Sequence, residues 1–121
     1  MTISERPPGK TTIAPGVLVT IVKLAALQVE GVSRLAPGPS GVNTLFSRGR
    51  DEGVVIEVDD QGQVSADVHL VLTDRVNIRE VSRNVQKEVA LAIRKLVGMD
   101  VKAINIHIED VDFQVDQSAE G

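Results

Sequence analysis

The sequence predicts an α+β two-layer sandwich, in which two main helices cover one face of a small mixed β-sheet. Valine occurs 20 times and isoleucine 9 times in 121 residues, whereas there are two phenylalanines and neither tyrosine nor tryptophan. The core is therefore expected to consist of β-branched aliphatic side chains. Two segments repeat apolar residues with helical spacing, and five segments, two of them short, have the composition or alternation of strands. The expected element order is β-α-(β)-β-β-α-β.

The first helix is predicted to be apolar on nearly all sides. Residues 1–9 form a loose lead-in, and residues 10–13 predict a short edge strand. Pro15 favours a helix start, the helical pattern runs from Val17 to Val29, and Gly31 is the expected C-terminal cap. A helix of this kind is normally buried on more than one side. The candidates for a partner surface on it are Val19, Val22 and Ala26.

The middle of the chain is predicted to contain a loop and a β-hairpin. Val32–Leu35 indicates a short strand, and residues 37–52 indicate a flexible loop rich in proline and glycine, with one helical turn at Val42–Phe46. Two strands follow, from Gly53 to Val58 and from Gln63 to Thr73, joined by a turn that ends in a glycine. The second of these strands alternates apolar and polar residues along its length.

The second helix has the clearest periodicity in the chain. It is expected from Ile78 to Val97, with apolar residues at intervals of three and four and Gly98 at its end. A final strand is expected over Val101–Val111, and residues 113–121 form an acidic tail. A single domain is therefore predicted over residues 10–112.

A row of basic side chains on the second helix is a candidate binding surface. Arg79, Arg83 and Lys87 recur at four-residue intervals, and Arg94 lies close to the same angular position. Such a row suits phosphate groups, anionic lipid or an acidic protein. An ordinary solvated helix face is the simpler explanation, because two glutamates lie nearby and such a row is common on surface helices.

Two histidines on the polar face of the sheet are a second candidate. Period-two alternation places Asp67 beside His69 and Glu109 beside His107. If the two strands are neighbours, these side chains could bind a transition metal. A solvated sheet face that carries two imidazoles accounts for the same pattern, so no metal, cofactor or catalytic residue is expected.

Composition and missing motifs disfavour several classes of protein. Cysteine is absent, which excludes disulfides and thiolate metal sites. The net charge of -4 and the scarcity of aromatic residues disfavour nucleic acid as a partner. No apolar run approaches the ~20 residues of a membrane-spanning helix, and the first ten residues lack the apolar stretch of a signal peptide. Catalytic sequence motifs are missing as well. We expect a cytoplasmic protein that is not an enzyme.

Several segments, in their order and spacing, resemble the alkaline shock protein family of bacterial envelope stress proteins. They are Gly9–Val17, Val29–Val32, Gly53–Val58, Val76–Val81, Val85–Val89, Gly98–Val101 and Ile104–Val111. The resemblance covers most of the chain. Family members usually carry an aromatic residue and a glycine directly before the segment that corresponds to Val76–Val81. This chain has Asp74 and Arg75 at those two positions.

The resemblance implies a non-enzymatic cytoplasmic protein that self-associates and gathers at the membrane through a small membrane-anchored partner, in support of envelope homeostasis. It implies no catalytic residues. The sequence fits this picture, because the first helix needs more cover than one sheet face provides. Direct insertion into the membrane is not expected, since that helix has few basic residues and no aromatic anchors.

Two other functions remain open from the sequence. One is an RNA-binding α/β domain that contacts phosphates through Arg79, Arg83 and Lys87. The other is a regulatory partner of a metabolic enzyme.

Overall fold

The computed structural model describes residues 7–37, 50–51 and 53–113. The predicted turn at Val42–Phe46, most of the predicted loop and the tail beyond residue 113 lie outside the described residues. The elements, in chain order, are α1 (Pro15–Leu27), β1 (Val32–Leu35), β2 (Arg50–Asp51), β3 (Val54–Val58), β4 (Val64–Thr73), α2 (Ile78–Ala92), a π-helical turn (Ile93–Val97) that continues α2, and β5 (Val101–Asp112).

The predicted α+β class and its two layers are confirmed, but the first predicted strand is wrong. Residues 10–13 form neither helix nor strand, so the chain begins its regular structure with α1. A short segment becomes a strand only where a neighbour accepts and donates its backbone hydrogen bonds, and none of the described strands pairs with this one. The end of α1 also differs, because Gln28 rather than Gly31 is its C-terminal cap.

The sheet is organised around β4. Along its whole length β4 pairs in parallel with β5. Its other edge is shared by two antiparallel strands, β3 opposite Val64–Val68 and β1 opposite Leu70–Leu72. The two-residue strand β2 extends the sheet beyond β3. This arrangement makes β4 the central strand and gives the sheet its mixed character.

The change of partner along one edge of β4 occurs at His69. Its backbone N–H donates to the Gly53 carbonyl at 2.7 Å, and its carbonyl accepts from the Ala36 N–H at 2.9 Å. Gly53 has φ of +78°, and a Cβ there would collide with the Ala36 carbonyl oxygen. A glycine is therefore required at the point where β1 and β3 meet along β4.

The core lies between the sheet and a layer formed by α1 and α2. The inward residues of β4 alternate along the strand and pack against both helices. Valine supplies ten of the eighteen buried hydrophobic residues in the described part of the chain, and none is aromatic. The prediction of an aliphatic core is confirmed. Fifteen of these eighteen buried residues pack together in one contiguous cluster: Val19, Val22, Ala26, Val29, Val54, Val64, Ala66, Val68, Leu70, Leu72, Val81, Val85, Val89, Ile93 and Ile104.

The second helix begins and ends as its sequence predicts. The Asn77 side chain accepts a hydrogen bond from the Glu80 N–H at 2.9 Å, which caps the first turn. At the other end the helix widens into the π-helical turn and stops at Gly98, whose φ is +75°. The chain then enters β5, which runs parallel to β4 and forms an edge of the sheet.

Candidate functional site

The outer face of the sheet, away from the helices, brings the two histidines together. The register of the parallel strands β4 and β5 places His69 directly beside His107. Their rings stack with centroids 4.5 Å apart and an angle of 15° between the planes. The question that the sequence left open, whether their strands are neighbours, is thereby answered.

Each imidazole is bound to a carboxylate on the opposite strand. Nδ1 of His69 lies 2.8 Å from Oε2 of Glu109, and Nε2 of His107 lies 2.9 Å from Oδ1 of Asp67. An ionised carboxylate only accepts hydrogen bonds, so these ring nitrogens are the donors. Sequence alternation correctly placed each acid on the same face as the histidine of its own strand, and the structure adds that each hydrogen bond crosses to the neighbouring strand.

This geometry favours a structural role for the histidines over a metal site. Both carboxylates already accept a hydrogen bond from an imidazole. His69, on which the His107 ring stacks, is 6% exposed. Within residues 7–37 and 53–113, no group of three or more histidine and acidic side chains is arranged to hold a metal ion. The cluster therefore joins β4 to β5 by stacking and two hydrogen bonds.

A second polar cluster on the same face links β1 to β5 across the central strand. Asp112 accepts hydrogen bonds from the Ser33 hydroxyl at 2.7 Å and from Nε of Arg34 at 3.2 Å. These contacts hold the pKa of the Asp112 carboxyl below its ordinary value, the Ser33 hydrogen bond contributing most. We call Ser33, Arg34 and Asp112 the clasp.

The clasp depends on an irregularity in the strand pairing. The register of β1 shifts between Val32 and Arg34, so Ser33 and Arg34 both reach the same carboxylate. Val71, which lies near it on the outer face of β4, is 2% exposed. Sequence periodicity missed the clasp because a bulge interrupts alternation, and the only available signal was the opposite charge of Arg34 and Asp112.

The predicted basic row lies on the solvent side of the helical layer. Arg79, Arg83 and Lys87 are exposed along α2, and Arg94 is exposed at the π-helical turn. None of the four takes part in an ion pair within the part of the chain that the structure describes. Leu91 and Leu96, also exposed, lie on the same segment.

The candidate partner residues on α1 are placed in the core. Val19, Val22 and Ala26 are at most 2% exposed and pack against the sheet and α2. In the folded chain they are not accessible to a partner, which corrects their assignment to a docking surface. Helical periodicity predicted the apolar character of α1 but not which side faces the sheet.

The opposite side of α1 is apolar as well, and it is exposed. Val17, Leu24 and Leu27 lie there, between 43% and 56% exposed. An open depression of about 680 Å³ borders this side, lined by Lys23, Leu27, Arg34, Leu35 and Pro37. We call Val17, Leu24 and Leu27 the α1 stripe.

Comparison with known proteins identifies the family. The model of the alkaline shock protein 23 family, described as having a cell envelope-related function, matches residues 4–113. The chain belongs to this family. No solved structure matches the chain. Within residues 7–37, 50–51 and 53–113, no helix has the length and apolar character needed to cross a membrane.

Relatives of this family member occur in Streptococcus pyogenes and Bacillus subtilis. Uncharacterized protein Spy1535 of Streptococcus pyogenes is 32% identical over 103 residues, covering 85% of this chain and 79% of the relative. Uncharacterized protein YqhY of Bacillus subtilis is 32% identical over 107 residues, covering 87% and 78%. A second Streptococcus pyogenes relative, Spy1614, is 28% identical over 107 residues, covering 85% and 88%.

Proposed function

We propose that this family member is a non-enzymatic interaction module of the cell envelope, which self-associates and docks onto a membrane-anchored protein from the cytoplasmic side. The observation that carries the proposal is the α1 stripe. Helix α1 buries one apolar side in the core and exposes another, with Leu24 56% exposed. Its single charged residue is Lys23. An exposed apolar stripe of this kind is typical of a protein–protein contact.

The outer sheet face supports the same proposal. Its histidines are held by Asp67 and Glu109, and Arg34 is held by Asp112. An acid–imidazole pair serves catalysis when the second ring nitrogen meets a nucleophile or substrate. Here the His69 ring is stacked on His107 and nearly buried, which favours a structural role.

Self-association is tested by light scattering and sedimentation velocity over a hundredfold range of protein concentration. We expect the wild-type chain to form oligomers and Leu24→Glu to shift the equilibrium towards monomer, because a buried carboxylate in the contact opposes association. Val58→Glu is the matched control, since Val58 is 49% exposed on the sheet. A wild-type chain that stays monomeric throughout, or equal effects of both variants, would contradict the proposal.

Docking onto a membrane protein is tested with bacterial membranes stripped of peripheral proteins. We expect the purified chain to sediment with these membranes at high salt, where contacts with lipid headgroups are screened. Treatment of the membranes with protease should abolish this binding, and Leu24→Glu should weaken it. Binding that survives protease would refute docking onto a protein.

A further inference from the structure

We propose that the basic row on α2 is a docking surface for the anionic headgroups of a phospholipid bilayer. The inference goes beyond the proposed function, because it concerns lipid rather than protein and rests on α2 rather than on the α1 stripe. The row consists of Arg79, Arg83, Lys87 and Arg94, all exposed.

Charge is distributed unequally between the two layers of the molecule. The helical layer, comprising α1, α2 and the π-helical turn, carries six basic residues and two acidic ones, a formal charge of +4. The five strands carry three basic and six acidic residues, a formal charge of −3. An acidic chain with a net charge of -4 therefore presents a positive side. A negatively charged plane would orient the molecule with its helices towards that plane.

The four cations of the row are available to such a plane. They form no ion pair within the described part of the chain, although the sheet face satisfies Arg34 with a carboxylate. Arg79 and Lys87 lie two helical turns apart, a rise of about 12 Å along the axis. This spacing lets adjacent members of the row contact different headgroups.

An apolar side chain between the cations favours lipid over RNA. Leu91 is 39% exposed, and it lies four residues after Lys87 and three before Arg94, which places it on their side of the helix. Leucines next to cations suit the boundary between headgroups and acyl chains. Single-stranded RNA is instead held by aromatic stacking, and α2 has no aromatic residue.

The test is sedimentation of the full-length chain with vesicles at about 50 mM salt. One set contains phosphatidylglycerol and phosphatidylcholine in equal parts, and the other phosphatidylcholine alone. We expect binding to the anionic set only, and its loss as the salt concentration rises. The double variant Arg83→Gln/Lys87→Gln should lower the partition coefficient about 25-fold, since each cation near an anionic surface contributes about fivefold.

The matched control removes two positive charges elsewhere. Arg75→Gln/Lys102→Gln has the same net charge as the test variant, and both residues are well exposed off the row. It should bind anionic vesicles as the wild type does, and circular dichroism should show both variants folded. No binding to anionic vesicles, or equal losses in the two double variants, would overturn the proposal. RNA bound through the row in the absence of vesicle binding would overturn it in favour of nucleic acid.

Discussion

The two faces of this molecule differ in whether their charged and polar side chains have partners within the chain. On the outer sheet face, His69, His107 and Arg34 each contact a carboxylate within 3.2 Å. On the helical face, the basic row has no such partner in the described residues, and Leu91 and the α1 stripe are exposed to solvent.

The difference indicates where stability and binding reside. Groups that satisfy one another within the sheet contribute to the folded state and offer little to a partner. Exposed cations and aliphatic side chains contribute little to the fold, and their interactions remain to be made with another molecule. Substitutions on the sheet face are therefore expected to change the free energy of unfolding, whereas substitutions on the helical face are expected to change association.

The largest effect on the free energy of unfolding is expected at Gly53, where β1 and β3 meet along one edge of β4. Gly53→Ala should lower the free energy of unfolding by about 3 kcal/mol, because a Cβ at φ of +78° is strained and meets the Ala36 carbonyl oxygen. Gly62→Ala is the matched control, with φ of +79° and nothing within 4 Å of the added Cβ. Its loss should be about 1 kcal/mol. Urea denaturation measures both, and equal losses would show that the collision is relieved.

The next effect concerns the stacked histidines. His69→Ala should cost about 2 kcal/mol of unfolding free energy, since it removes a nearly buried ring and the partner of Glu109. His107→Ala should cost about 0.5 kcal/mol, because that ring is 44% exposed. Chemical denaturation of the two single variants and the double variant gives the coupling between the rings. If the two single variants lose the same free energy, burial does not distinguish the rings.

The contrast between the faces was only partly predictable from the sequence. The periodicity of α2 correctly placed Val81, Val85 and Val89 in the core and the basic row in solvent, but Ile78 and Leu96, at the two ends of the same apolar repeat, are exposed. For α1, a nearly uniform apolar composition leaves the direction of the core undetermined. The choice of the buried side depends on the sheet beneath, which is a tertiary property.

The contacts between polar groups on the sheet face were harder to predict from the sequence. Alternation placed His69 and His107 on the polar face, but their contact depends on the parallel register of β4 and β5. The clasp depends on a bulge in β1, and bulges leave no periodic signal. The wrong strand at residues 10–13 has the same origin, because the composition of a short segment does not specify a pairing partner.

A smaller, stabilising effect is expected at the joint between the two layers. Arg75, between β4 and α2, has φ of +63°, in the left-handed region that glycine adopts without strain. Arg75→Gly should raise the free energy of unfolding by about 0.5 kcal/mol, because relief of left-handed strain slightly exceeds the extra entropy of an unfolded glycine.

The matched control at this joint is Arg75→Ala. It removes the same side chain, including the approach of Nε to within 3.9 Å of Asp74, but keeps the Cβ. Thermal unfolding should show a gain for glycine alone. A gain for both variants would assign the effect to the lost side chain.

The smallest effect is expected at the clasp, where Asp112 is exposed to solvent. Its pKa is lowered by the hydrogen bonds from Ser33 and Arg34, so its ionised form stabilises the folded chain above the ordinary pKa of an aspartate. This stabilisation is lost as the pH falls through the lowered pKa of the folded state. The difference in unfolding free energy between wild type and Asp112→Asn should therefore shrink as urea denaturation moves from neutral to acidic pH. Asp110→Asn, which alters a carboxylate outside the clasp, is the control. A difference that stays constant with pH would show that Asp112 acts through its shape and not through its charge.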